Sequence, residues 1–295
     1  VDDPQLLEVL GRAADAAEEA LSAGGDWSPS GLAPGQHRAD LAADAAAVAV
    51  LADAGLSVLS EESGFTGDPD RLGDPDAIVA VLDPVDGSTN ASRGLPWFAT
   101  SIAAGHSALL RAGDPGGLRA ALVHDLPNRR RYTAIAGMGA WLDGEPLPQR
   151  QDVDLAEALI AVNALPPADP GWAQFRTYGA TALELCGVAA GSFDGYIDFG
   201  RRGLGVWDYL GAMLVCMACG VHMADLAGRD LVCLDHSSRR NPVAAPAGLL
   251  GELLACAPAG SSCGPTGCSA DASDASGGSA AVTEQSEPWA GSSGS

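Results

Sequence analysis

The run Ala77-Ile78-Val79-Ala80-Val81-Leu82-Asp83-Pro84-Val85-Asp86-Gly87-Ser88 carries the two features on which the fold and the chemistry of this chain turn. Its first six residues are a continuous apolar run of strand length, the pattern of a strand covered on both faces. The run breaks at Asp83-Pro84, so a strand is predicted over 77–82 with its carboxylates at the strand terminus. Asp83 and Asp86 stand either side of a proline that fixes the backbone, and Gly87 permits a tight turn with close approach of a ligand to main-chain N–H groups. Two carboxylates so held suit Mg²⁺, a hard cation that takes oxygen ligands and shares them with phosphate. The Val85 carbonyl lies between them as a further candidate ligand. Ser88 and Thr89 add hydroxyls where a turn or helix begins and free N–H groups can hold phosphate oxygens. Taken alone, the same residues read equally well as an exposed turn.

Outward from this run the chain alternates helix and strand patterns. Upstream, Leu6 to Leu21 has apolar residues at helical spacing, a Pro/Gly-rich loop covers Asp26 to Gln36, and an Ala-rich helix is predicted from about Asp40 to Ala54. Ser57 to Ser60 is a short strand that delivers Glu61 and Glu62 at its end. Downstream, strands are predicted over Phe98–Ala104, Ala120–His124 and Arg131–Ala136, with turns at Gly137-Met138-Gly139 and Asp143-Gly144. After a Gln/Asp-rich linker a second half begins, with strands over Ala158–Val162, Gly195–Phe199, Val221–Asp225 and Val243–Ala245 and helices over Ala180–Ala190 and Asp208–Ala218. The expected organisation is a half over 1–150, a half over 151–260 and, over 261–295, a Ser/Gly/Ala/Asp tail too poor in large apolar residues to offset the entropy of ordering.

With 295 residues and 47% hydrophobic content the chain can fill a sizeable core. Its formal net charge of −22 argues against a nucleic-acid polymer or an anionic membrane as partner, because both are polyanions that need Lys and Arg to neutralise them. A small anionic substrate meets the same repulsion unless cations are bound locally. No apolar run reaches the length of a membrane span and the N-terminus lacks the look of a signal peptide, so the expected compartment is the cytoplasm. Cys216-Met217-Ala218-Cys219 falls inside an apolar helix with no second pair at zinc spacing, and reads as core.

Company shifts the reading of Asp83–Ser88 away from a plain turn. Glu61-Glu62 also stands at a strand end, and Trp207-Asp208 brings another acid to the start of an apolar helix, where by itself it reads as a cap. Together, Ser60-Glu61-Glu62-Ser63-Gly64, Leu82-Asp83-Pro84-Val85-Asp86-Gly87-Ser88-Thr89-Asn90 and Trp207-Asp208-Tyr209-Leu210-Gly211-Ala212 resemble, in order and separation, the signature of the inositol monophosphatase family. The likeness runs from about His37 to Leu254.

That resemblance implies an α/β (α+β layered) fold, an αβαβα sandwich of the inositol monophosphatase / fructose-1,6-bisphosphatase type, and a family that often forms homodimers. The first half would carry most metal ligands, the second Asp208 and the substrate contacts. It implies Mg²⁺-dependent hydrolysis of a small phosphate monoester, inositol monophosphate or another polyol or sugar phosphate, by metal-activated water. Alternatives within the family are histidinol phosphate, fructose bisphosphate and 3′-phosphoadenosine phosphate; the alternative of another class is a non-catalytic metal- and ligand-binding homologue. Carried over by position, Glu61, Asp83 and the Val85 carbonyl hold a first ion, Asp83, Asp86 and Asp208 a second, and Asp40 helps hold a third. Gly87 and Ser88 offer N–H groups to phosphate, and Ser88, where the family usually has Thr, joins Glu61 in positioning the attacking water. Gly179, Ala180, Thr181 and Asp198 match substrate-contacting positions. The chain departs from the family in lacking a common Lys in the Leu32–Gln36 loop and in three extra residues between Gly200 and Trp207, where Arg201 and Arg202 read either as a solvated turn or as contacts to a second anionic group.

Overall fold

In a computed structural model of the chain, which describes residues 2–257, the continuous apolar runs are buried on both faces because helices cover each side of two sheets. The N-terminal helices α1 (Asp3–Ser22) and α2 (Arg38–Asp53) lead into β1 (Ser57–Ser60), β2 (Gly64–Thr66) and β3 (Ile78–Asp86). A one-turn helix α3 (Ser88–Ser92) follows, then β4 (Ala99–His106), α4 (Ser107–Arg111), β5 (Leu118–Asp125), β6 (Arg130–Ile135), β7 (Gly139–Leu142) and β8 (Glu145–Pro146). These strands form one mixed sheet in the order β2-β1-β3-β4-β5-β6-β7-β8.

The second sheet is built from β9 (Leu159–Asn163), β10 (Gln174–Arg176), β11 (Gly195–Asp198), β12 (His222–Asp225) and β13 (Pro242–Ala245), in the order β10-β9-β11-β13-β12. Helices α5 (Thr181–Ala190), α6 (Val206–Ala218) and α7 (Ala247–Ala255) complete the fold. The tail expected over 261–295 lies outside the described residues.

Side-chain alternation along the strands sorts the layers. On the first sheet Val58, Ala80, Leu82, Ile102, Ala104, Ala120 and Leu122 pack with Leu6, Leu10, Ala43 and Ala47 of α1 and α2. Their neighbours Leu59, Val79, Val81, Ala103, Ala121 and Val123 face the other way, into a core shared with Leu183, Leu185, Leu210 and Met213 of α5 and α6 and with Ala161, Tyr196 and Ala244 of the second sheet. The outer face of that sheet, Ile160, Val162, Ile197 and Val243, packs on Leu249 and Leu253 of α7. The layers are therefore α, β, α, β, α, as the resemblance implied.

One boundary differs from the sequence reading in a way that matters. The strand predicted to stop before Asp83 runs on to Asp86, with a register irregularity between Asp83 and Asp86. Proline is tolerated inside a sheet where such an irregularity relieves it of a ladder hydrogen bond. Thr100 Oγ1 of β4 donates to the Pro84 carbonyl at 2.9 Å, fixing the distorted segment from its neighbour. Both aspartates thus sit in a braced strand rather than at a free end. The helix predicted from Asp208 begins two residues earlier, which places Asp208 in its first turn.

Candidate metal centre and substrate site

Three separate stretches of chain converge on one point. The parallel pairing of β1 with β3 sets Ser60 beside Leu82, and the Glu61 N–H continues it to the Leu82 carbonyl at 3.1 Å, so that Glu61 emerges alongside Asp83. On the other side Asp83 pairs in register with Ser101 of β4. Helix α6 crosses at that level through Gly211, where an added Cβ would lie 2.4 Å from Ser101 Oγ and 3.2 Å from the Ile102 nitrogen. Asp208 stands three residues before Gly211 on the same helix face. The small residue lets α6 come down on β4, and Asp208 arrives with it.

Carboxylate oxygens of Glu61, Asp83 and Asp208 consequently all lie within 4.8 Å of one another. Asp83 is fully buried; its Oδ1 accepts the Val85 N–H at 2.9 Å, while Oδ2 has no hydrogen-bond partner. Asp208 Oδ2 accepts the Gly205 N–H at 2.6 Å, so the capping reading and the cluster reading both hold. Burial raises the Asp83 carboxyl well above the usual range, and the charges of Glu61, Asp86 and Asp208 add to it. Glu61 is raised by burial and by Asp208, and Asp208 by burial and by Asp86. No Arg or His side chain forms an ion pair with any of these acids among the described residues. Like charges this close, with a bare buried oxygen among them, are stable as anions only around a cation. The donor set is all oxygen, which fits a hard divalent ion.

Asp86 and Asp40 flank the trio without joining it. Asp86 Oδ2 accepts the Ala182 N–H of α5 at 2.6 Å, a bond from the first sheet to the layer of helices behind it. Asp40, nearly fully buried in the first turn of α2, accepts the His37 N–H at 2.9 Å through Oδ2 and leaves Oδ1 without a partner. Its charge is felt at both Glu61 and Glu62. The Val85 side chain is buried in the core between α1/α2 and the first sheet, and its N–H is the donor to Asp83 Oδ1.

Of the positions expected to contact substrate, three are brought directly together. Gly87 has φ +85, and a Cβ there would meet Ala180 Cβ at 3.0 Å, the Trp97 carbonyl at 3.1 Å and the Gly179 carbonyl at 3.2 Å. Only glycine fits such a place, and the contact brings Gly87, Gly179 and Ala180 together. Asn90 Nδ2 locks it by donating to the Trp97 carbonyl at 2.8 Å and to the Tyr178 carbonyl at 2.7 Å. Ser88 follows Gly87 in the first turn of α3, where N–H groups lie outside the helical ladder. Thr181 is buried with its hydroxyl 3.1 Å from the Tyr196 hydroxyl. Asp198, fully buried, accepts the Gly200 N–H at 2.7 Å and Asn241 Nδ2 at 2.8 Å, and burial raises it to about 6. Arg201 and Arg202 are exposed on the turn between β11 and α6. Cys216 and Cys219 are buried, as core residues should be.

Several neighbours of the site escaped the sequence reading. His236 Nε2 lies 2.9 Å from the Glu61 carbonyl, its ring 4.6 Å from that of Trp207, while the Arg239 guanidinium stands 5.1 Å from the same indole. No local pattern announces a contact between residues so far apart in sequence. Glu184 offered a signal: an acid in the otherwise apolar run Ala182–Ala190.

The whole arrangement falls within residues 35–258, which match the Inositol monophosphatase family. The chain belongs to this family. A fructose-1,6-bisphosphatase/inositol-1-monophosphatase of Archaeoglobus fulgidus is 33% identical over 222 residues, 73% of this chain and 81% of the relative. The Nus factor SuhB of Escherichia coli is 30% identical over 186 residues, 58% of this chain and 64% of that protein. Among solved structures, a Pyrococcus horikoshii protein with similarities to inositol-1 monophosphatase superposes with a TM-score of 0.70 at 24% identity, covering 85% of this chain and 96% of its own. Inositol monophosphatase from Anabaena superposes with a TM-score of 0.67 at 21% identity over 86% of this chain and 95% of its own. These likenesses establish the layered fold. Members of the inositol monophosphatase family depend on metal, and the acidic trio is where this chain could bind it. No helix among the described residues is long and apolar enough to cross a membrane.

Proposed function

We propose that the protein is a Mg²⁺-dependent phosphatase of small phosphate monoesters, an inositol monophosphate or another polyol or sugar phosphate. The observation that carries this reading is the convergence of Glu61, Asp83 and Asp208 within 4.8 Å, with Asp83 Oδ2 buried and bare. Glu61, Asp83 and the Val85 carbonyl would hold one ion, Asp83, Asp86 and Asp208 a second, and Asp40 would help hold a third. Mg²⁺ in such a site lowers the pKa of water from about 15.7 and offsets the charge of phosphate. The chain's own part is to place and deprotonate the nucleophile. Glu61, whose carboxylate stands beside Asp83, would accept the proton, and the Ser88 hydroxyl would orient the same water. N–H groups of Gly87 and Ser88 receive the phosphate oxygens. Gly179, Ala180 and Thr181 border the organic part of the ester, which Asp198 recognises through hydroxyls.

The test is phosphate release by purified protein with Mg²⁺ from a panel containing inositol monophosphate, fructose bisphosphate, histidinol phosphate and 3′-phosphoadenosine phosphate. Turnover of at least one ester, lost in Asp83→Asn, is the expected result; no turnover of any refutes it. The likeness to proteins named Nus factor SuhB supports a second reading, a non-catalytic homologue that binds metal and a ligand. Calorimetry showing Mg²⁺ and phosphate binding with no turnover would favour that reading.

A further inference from the structure

Glu184 is a buried acid close to Asp86 that neither metal binding nor substrate binding uses. It is 1% exposed, lies in the first turns of α5 and forms no ion pair. Its Oε1 accepts two main-chain N–H groups, those of Tyr178 at 2.7 Å and Gly179 at 3.2 Å, and its Oε2 is buried without a partner. A carboxylate that accepts N–H bonds is a strong clamp, because charge-assisted hydrogen bonds are about twice as strong as neutral ones.

What it clamps is the left-handed turn at Gly179, φ +80, whose carbonyl meets the place a Gly87 Cβ would occupy. The turn is held on its other side by Asn90, through the Tyr178 carbonyl, and Trp97 stacks on the Tyr178 ring at 4.7 Å. Helix α5, which carries Glu184, is in turn bonded to Asp86 through the Ala182 N–H. The hydrogen bonds close a circuit: Asp86 to α5, Glu184 of α5 to the Tyr178-Gly179 turn, that turn to Asn90, and Asn90 through α3 back to Gly87 and Asp86.

We propose that Glu184 is a positioning residue which presses the Tyr178-Gly179 turn against Gly87 and so sets the geometry of the phosphate-binding turn from helix α5. The link to phosphate rests on the phosphatase reading above; the link between the two turns does not. Truncating the side chain leaves the Tyr178 and Gly179 N–H groups without their acceptor and loosens the turn that packs on Gly87, while the trio of Glu61, Asp83 and Asp208 keeps its own supports.

Amide hydrogen exchange and kinetics on the full chain decide it. In Glu184→Ala, exchange should quicken at Tyr178 and Gly179 and also across Gly87–Asn90, KM for the ester and the dissociation constant of inorganic phosphate should rise by about tenfold or more, and the Mg²⁺ activation midpoint should stay within about twofold. Glu184→Gln keeps an acceptor for both N–H groups and should return KM to within about threefold of the parent. If Glu184→Ala does not fold, Glu184→Asp, one methylene short of the turn, carries the same comparison. Unchanged exchange at Gly87–Asn90 in a variant with a loosened Tyr178-Gly179 turn overturns the inference, whether or not the protein hydrolyses any ester. So does a KM that stays at the parent value. A parent protein that turns over nothing sinks the phosphatase reading alone.

Discussion

Asp83 and Asp225 are equally lost to solvent, at 0% and 2% exposure, yet the protein treats them in opposite ways. Asp225, at the end of β12, receives Arg229 through Nε at 2.7 Å and Nη2 at 2.9 Å and accepts the Asn241 N–H at 2.7 Å. Burial pushes its carboxyl up, but these partners outweigh burial and hold it below the usual value. Asp83 has one N–H from Val85, a bare second oxygen and three acids for neighbours, and it is driven well up. One buried carboxylate brings its cation in the sequence, four residues along the chain. The other has no cation paired with it among the described residues, as the proposed metal site requires. Burial alone therefore says nothing about function; the missing counter-charge does.

The first way to break this contrast is to neutralise Asp83. Asp83→Asn should lower turnover on the order of 10⁴-fold, about 5.5 kcal/mol of transition-state stabilisation, while the metal-free protein unfolds at the same or a higher denaturant concentration because a disfavoured charge has gone. Steady-state kinetics and a urea titration measure the two halves of this statement. A clear loss of metal-free stability would mean that Asp83 is a structural acid like Asp225. The mirror experiment is Arg229→Ala, which strands Asp225 and should cost about 3 kcal/mol in the same urea titration, with turnover per folded molecule unchanged within about twofold.

The sequence displayed the layering because strands covered on both faces read as unbroken apolar runs, as in Ala77–Leu82, and helices as periodic ones, as in Leu6–Leu21. It hid what has no such pattern. Gly64–Thr66 and the exposed edge strand Gln174–Arg176 are three residues each, and Ala247–Ala255 is too uniformly apolar to show a period. Pro84 read as a strand terminator, since the Thr100 hydroxyl that braces its carbonyl lies on another strand. The trio at the candidate site was legible only as three motifs in company: each acid has a local reading, and Asp208 does cap its helix. Glu184 was passed over because its partners are main-chain N–H groups, which leave no mark on composition, and His236 because its contact with Glu61 joins residues 175 apart in the chain.

Mg²⁺ offers a gentler probe of the same contrast. An ion that binds the folded state alone stabilises it by about 2.7 kcal/mol at a hundredfold excess over its dissociation constant. Thermal unfolding with and without Mg²⁺ should show this gain in the parent and in Arg229→Ala, and lose most of it in Asp83→Asn. Equal gains in all three proteins would place the ion elsewhere.

The smallest effect is the pH dependence of the metal-free protein, and its sign separates the two kinds of acid. Glu184 is raised from 4.5 to about 7 and Asp198 from 3.8 to about 6, chiefly by burial, and the trio is raised as well. A carboxyl whose pKa is higher in the folded state binds more protons there than in the unfolded chain over the interval between the two values, so stability falls as pH rises through it. Asp225, with its lowered value, does the opposite: it contributes stability above its unfolded pKa of 3.8 and loses it only in stronger acid. Without Mg²⁺ the raised group should dominate, and unfolding free energy should decline from pH 5 to pH 7.5. Saturating Mg²⁺ binds the deprotonated trio and must therefore flatten or reverse that slope, because the ion binds more tightly as protons leave. A metal-free protein whose stability rises over this interval would show that the buried acids are already compensated within the fold, and the distinction between Asp83 and Asp225 would fall with it.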